Sequence, residues 1–203
     1  MEKYLLNSEK MNFRDLVTRS RTYRRFDSSC RLDARQLAGL VELACYTPSS
    51  RNLQPLKYVA VSEIEECSAV YDCLSWAGYL PDWPGPVLQE RPAAYLVMLC
   101  DLSISFSGAE CDSGIAAQTI ILGATDIGYG GCIVGSIDRD SLRTLLHIPD
   151  GFSIELVLAL GKPVESVVIE QMEKGADVRY FRDSHDVHHV PKRTVDEVLL
   201  TFR

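Results

Sequence analysis

The chain has 203 residues, 46% of them hydrophobic and 24% charged, with 21 basic and 28 acidic side chains and a formal charge of −7. A chain of this size buries about 70% of its unfolded surface and fits one domain or two small ones, and the apolar fraction excludes disorder. The acidic balance, with a pI near 5.1, argues against a nucleic-acid binder, and seven cysteines without a CxxC pair point to reduced cytoplasmic thiols rather than a disulfide framework or zinc ribbon.

In chain order, Met1 to Met11 is polar and mixed in charge, so no signal peptide is expected. Phe13, Leu16 and Val17 fall on one face of a short helix that runs into an arginine-rich segment. Asp33 opens a second helix as N-cap, with Gln36 at the capping-box position and Leu37, Leu40, Val41, Ala44 and Cys45 at helical spacing. Pro48 stops it. Tyr58 to Val61 reads as a strand and Ile64 to Trp76 as a helix. Four prolines between Gly78 and Pro92 enforce an irregular connection, long enough to suggest a lid or partner-covering arm.

Ala93 to Cys100 is the longest uninterrupted apolar run, too short to span a membrane and suited to a strand buried on both faces. Cys111 to Ile127 is apolar almost all round, which predicts a central or inter-subunit helix. Gly128, Gly130 and Gly131 end it before an extended Cys132 to Val134. A short helix over Ser141 to Leu146, a second buried strand over Ile154 to Leu160 and a sharp turn at Gly161-Lys162-Pro163 follow. The polar tail from Gly175 carries a strand-like Val178 to Phe181 and a final capped helix marked by Thr194 and Glu197. No repeat or linker interrupts the chain, and the pattern predicts a single α+β domain over residues 1–203.

GxGxxG, Walker A, HExxH and GxSxG motifs are all missing. Three segments stand out instead. Arg19 to Phe26 carries four arginines and two hydroxyls at a helix-to-loop junction, suited to a phosphate and neighbouring hydroxyls, or simply a solvated helix end. Pro48-Ser49-Ser50-Arg51-Asn52-Leu53-Gln54-Pro55 is a rigid loop whose carboxamides can read the edge of a planar heterocycle, or a plain turn. Gly128 to Gly135 permits close backbone approach to a ligand, or is a C-cap and bend.

In this order and spacing, with the later GKP and the Pro191-Lys192-Arg193 run, these segments resemble the FMN-dependent nitroreductase family over roughly Asn12 to Leu200. The resemblance implies a mostly antiparallel central sheet flanked by helices, in a homodimer with an extended C-terminal arm. It implies that Arg21, Thr22 and Arg24, with Ser20 and Tyr23 alongside, hold the phosphate, ribityl chain and pyrimidine edge of FMN. It further implies that Pro48, Ser49, Ser50, Asn52 and Gln54 approach the flavin from the partner subunit, and that the backbone of Ile133, Val134 and Gly135 lies near flavin N5. Arg193 matches a basic position on the phosphate. Ser20 stands where the family usually has the first of two basic residues, and Pro191 where another is common. Phosphate compensation is then expected from Arg21, Arg24, Lys192 and Arg193.

The activity so implied is ping-pong hydride transfer from NADH or NADPH, through flavin N5, to nitro compounds, quinones or similar small-molecule electrophiles, with Arg24 as the positive charge beside the pyrimidine edge and no general acid or nucleophile. The alternative is a flavin carrier or sensor, or a specialised branch of the family, without nicotinamide turnover. No nucleic-acid or membrane partner is expected. His185, His188 and His189 have no carboxylates at ligand spacing, so no metal is expected. Cys132 reads as a small packing residue rather than a redox thiol. Trp76, Tyr79 and Trp83 read as packing aromatics, with substrate stacking as the alternative.

Overall fold

A computed structural model describes residues 12–106 and 108–201; the polar start at Met1 to Met11 lies outside them. In order, the elements are α1 (Phe13–Arg19), β1 (Phe26–Asp27), α2 (Ala34–Cys45), β2 (Leu56–Val61), α3 (Ile64–Asp72), β3 (Ala94–Asp101) and α4 (Glu110–Asp126). Then come β4 (Gly130–Val134), α5 (Arg139–Leu145), β5 (Phe152–Pro163), β6 (Val167–Gln171), β7 (Phe181–Arg182), β8 (His188–Lys192) and α6 (Val195–Val198). The architecture is α+β, as expected. β5 is the hub of a five-stranded antiparallel sheet, with β3 on one side, followed by β2, and β4 and β1 along the other.

The continuous apolar run of β3 is explained by helices on both faces. Ala94, Leu96 and Met98 pack with Leu158 and Leu160 of β5 against Leu37 and Leu40 of α2 and Ala117, Ile120 and Ala124 of α4. The alternating Tyr95, Val97 and Leu99 pack with Val157 and Ala159 against Val70 and Tyr71 of α3 and Leu142 of α5. Period-two alternation thus feeds two cores rather than a core and a solvent face. The capping box at Asp33 and Gln36 is formed in both directions.

Four expectations are corrected. The helix beginning at Ile64 ends at Asp72, because Leu74 pairs with Ile137 and the Ser75 N–H donates to the Ser136 carbonyl; Trp76 is thereby released into a loop. Gly161-Lys162-Pro163 is no turn but the end of β5, with Lys162 opposite Asp27 and Pro163 opposite Phe26. Gly161 is needed there for close approach, since a Cβ would lie 2.8 Å from Phe26. In the tail, only Phe181–Arg182 of the strand-like stretch is a strand. It belongs to a second sheet, in which β8 pairs parallel to β6 and antiparallel to β7. Finally, Thr194 makes no side-chain cap, and Glu197 turns to Arg193 instead.

α4 is buried along one side only. Its Ala116, Ala117, Ile120 and Ala124 face the core, while Cys111, Gly114, Ile115 and Gln118 form an open stripe at helical spacing. Beside it α1 buries no residue, and Phe13 and Val17 are exposed.

Candidate functional site

The arginine-rich segment leaves α1 at Ser20 and runs along the start of β4. Thr22 bridges Gly131, and the Tyr23 N–H donates to the Gly131 carbonyl at 3.0 Å. Two glycines make this approach possible. A Cβ on Gly130 would stand 2.6 Å from the Tyr23 ring, and one on Gly131 would stand 2.7 Å from the Ala159 carbonyl oxygen.

The arginines have different duties. Arg21 donates back to the carbonyls of Ser20 and Val17 at 2.7 and 3.1 Å, closing the end of α1. Arg25 grips Glu90 with two parallel bonds of 2.6 and 2.8 Å and also pairs with Asp186, which holds its guanidinium charged far above any working pH. Arg24 meets an imidazole and an aromatic face: its Nη1 lies 3.4 Å from His188 Nε2 and its guanidinium lies 4.7 Å from the Tyr180 ring centre. The backbone beneath is anchored by Glu165. This buried carboxylate accepts from the Arg24 and Arg25 N–H groups and from Arg182.

Arg24 borders a recess of about 140 Å³, completed by Trp76, Ala77 and Gly78, the Cys132 to Ser136 strand end and Tyr180. The Ile133, Val134 and Gly135 backbone therefore faces the same space as Arg24. Cys132 is buried there, its thiol pushed up to about 11 by desolvation, a packing residue without thiolate character. The three aromatics divide: Trp76 lines the recess and stacks on Tyr71 at 5.4 Å, Tyr79 packs on Tyr180, and Trp83 receives the Arg182 guanidinium at 4.3 Å.

The recess meets a bound polar group halfway. The indole N–H of Trp76, a lining residue, is buried without a partner, a condition that buried polar groups seldom tolerate; the Ser20 hydroxyl, outside the lining, shares it. With the Arg24 cation and the strand-end backbone, this donor set suits an anionic, hydrogen-bonding planar ligand such as FMN. Its volume does not enclose one, since sites for ligands of that size run to about 300–1,000 Å³.

The Pro48 to Pro55 loop lies elsewhere. The Ser50 N–H donates to both oxygens of the buried Asp112 at 3.0 and 3.2 Å, and the Gln54 N–H donates to Ser49 Oγ at 2.9 Å. Arg51, Asn52 and Gln54 all hold left-handed backbone, with φ of 53°, 56° and 54°, a cluster of strain typical of functional loops. Pro48, Ser49, Gln54 and Asp112 border a separate cavity of about 250 Å³. Asp112 sits in the first turn of α4, whereas the Tyr23–Gly131 contact lies just past its last turn. From Asp112 to the end of α4 the helix runs 14 more residues, about 21 Å, between the two motifs in one chain.

Lys192 ends β8 and Arg193 follows it, and neither lines the recess; Arg193 donates to Glu197 at 2.9 Å. Asp112, Glu165 and Tyr180 were invisible as site residues in the sequence, and His188 was weighed only as a metal ligand, since each acts on a motif many positions away. Among the described residues no cluster of three His, Cys, Asp or Glu is disposed to hold a metal. His188 is buried against Arg24, and His189 bridges Glu170 and Asp183.

The sequence profile of the Nitroreductase family matches residues 17–162. Among solved structures, an FMN-dependent nitroreductase from Clostridium difficile aligns with a TM-score of 0.64 at 20% identity, covering 93% of this chain and 97% of that one. A nitroreductase family protein from Clostridium novyi aligns with a TM-score of 0.62 at 23% identity, covering 75% and 87%. A protein assigned as a nitroreductase, in complex with FMN, from Exiguobacterium sibiricum gives a TM-score of 0.66 at 16% identity over 78% and 92%. With the profile spanning well over half of the sequence and the fold agreeing, the chain belongs to the nitroreductase family.

Proposed function

We propose that the protein is an FMN-dependent oxidoreductase that works as a homodimer in the cytoplasm, where its seven free thiols stay reduced. The observation that carries this reading is the shared recess of Arg24, Trp76 and the Ile133 to Gly135 strand end, with the buried Trp76 indole N–H lacking a protein partner. The similar proteins described as FMN-dependent or FMN-bound add support. When bound, FMN would supply the two-electron chemistry, taking hydride from NADH or NADPH and passing it in ping-pong order to a nitro compound, quinone or similar electrophile.

The chain's own residues bind and orient. Ser20, Arg21, Thr22, Tyr23 and Arg24 form the anion-binding side, and the strand end at Ile133, Val134 and Gly135 offers backbone N–H groups to the ring. Pro48, Ser49, Ser50, Asn52 and Gln54 come from the partner protomer. The open stripe of α4, flanked by exposed Phe13 and Val17, supports that pairing. Two copies packed antiparallel along this stripe would set the loop end of one α4 beside the arginine end of the other. Lys192 and Arg193 contribute positive potential from the terminal segment.

The test is spectroscopic. Purified protein supplied with FMN is expected to bind it stoichiometrically and turn yellow, to bleach within seconds under anaerobic NADH or NADPH, and to regain colour with a nitroaromatic. No flavin uptake would end the reading; uptake without bleaching would make the protein a flavin carrier or sensor.

A further inference from the structure

We propose that His188 and Tyr180 are positioning residues that hold Arg24 at the recess as a cation which no carboxylate among the described residues neutralises. This rests on the reading of the recess as the flavin site, and it assigns work to two residues beyond position 162, outside the stretch matched by the family profile. Around the arginine segment, Arg25 is neutralised by Glu90 and Asp186 and Arg182 by Glu165, while Arg21 is tied back to the carbonyls at the end of α1. Glu165 accepts from the Arg24 backbone N–H and forms no ion pair with its side chain. The side chain is instead held by an imidazole edge and an aromatic face.

A carboxylate would be the stronger way to fix an arginine. It would also cancel the charge that an anionic ligand needs. A neutral acceptor and a π face fix the geometry and leave the charge available. Arginine keeps its proton, so His188 Nε2 must accept and Nδ1 must carry the hydrogen. That Nδ1 is buried without a partner, and desolvation, then the Arg24 and Arg182 cations, disfavour a second proton. Tyr180 is itself fixed: its ring packs on Tyr79 at 5.0 Å and on His188 at 5.1 Å, and its hydroxyl accepts from the Tyr79 N–H at 3.3 Å. The terminal segment and the proline-rich connection therefore meet over Arg24.

The experiment compares FMN dissociation constants and flavin midpoint potentials for wild type, His188→Gln, His188→Glu, Tyr180→Phe and Tyr180→Leu, with melting curves alongside. Gln keeps a neutral acceptor and is expected to stay within about twofold of wild type in affinity, with an unchanged potential. Glu keeps an acceptor but cancels the charge. It is expected to weaken FMN binding about tenfold or more and to make the bound flavin harder to reduce. Tyr180→Leu is expected to lose about threefold in affinity relative to Tyr180→Phe. A merely structural role would instead make affinity follow melting temperature and leave the potential unmoved. If wild type binds FMN and the Gln and Glu variants match it in both affinity and potential, the inference is overturned. Should His188→Glu fail to fold, equality of the two Tyr180 variants overturns it and a selective loss in Tyr180→Leu supports it. Failure of wild type to bind FMN at all would instead remove the flavin reading.

Discussion

Neighbouring histidines in β8 are pulled in opposite directions. His188, 1% exposed and facing Arg24 and Arg182, has its pKa lowered to about 4 by desolvation and then by those cations. His189 is raised by its bonds to Asp183 and Glu170. For His188 the unfolded chain binds the extra proton between about pH 6.5 and 4, so stability falls as pH drops through that window. For His189 the sign is reversed: its contribution is present below the unfolded pKa and is lost as pH rises through the raised one. At pH 5 the His188 effect amounts to about 2 kcal/mol. Denaturant unfolding at pH 7 and pH 5 is therefore expected to show a larger acid loss for wild type than for His188→Gln, by roughly that amount. Equal losses would mean that the imidazole takes up its proton without penalty in the fold.

At the scale of elements, the tightest joint is where β4 slides between the arginine segment and β5. Gly131→Ala would push a methyl group against the Ala159 carbonyl, Ile121 and Leu160, all within 3.0 Å of the new atom. Backbone cannot yield as a side chain can, so a loss of about 1–3 kcal/mol is expected. The shift would also carry the Cys132 to Gly135 strand end with it. Thermal melting together with FMN titration checks this: the variant should bind flavin more weakly even below its melting temperature. This joint was readable in the sequence only as a glycine cluster, since glycines at a C-cap and at a close approach look alike. Strands β3 and β5 and helices α2 and α4 were legible because their apolar patterns are long and local. The second sheet was not. Its β6 and β8 side chains are half-exposed and mixed in polarity, and its parallel pairing joins residues about twenty apart. The GKP segment misled for a related reason: glycine and proline mark turns locally, yet here they fit the end of β5 against Phe26 of β1.

At the scale of the whole molecule, the three sequence motifs prove unequal. Arginine segment and glycine-rich strand end come together within one chain, while the Pro48 to Pro55 loop sits at the far end of α4. Linear order cannot distinguish those cases, because a site shared across a two-fold axis leaves the same motifs in the same order as one built by a single chain. Symmetry makes the distinction testable. If each site takes Arg24 from one protomer and Asn52 from the other, then Arg24→Ala and Asn52→Ala each spoil both sites of their own dimers. A mixed dimer carries both lesions at one site and none at the other. Unfolding and refolding the two variants together at equal amounts should therefore restore tight FMN binding at about a quarter of all sites, because half of the dimers are mixed and each has one intact site. Separately refolded and then combined samples should show no such recovery until subunits exchange. Restoration of binding ties the loop to the partner's flavin. A refolded mixture no better than its parents would place Asn52 in its own chain's site, or outside it, and would require the α4 stripe to serve some other contact.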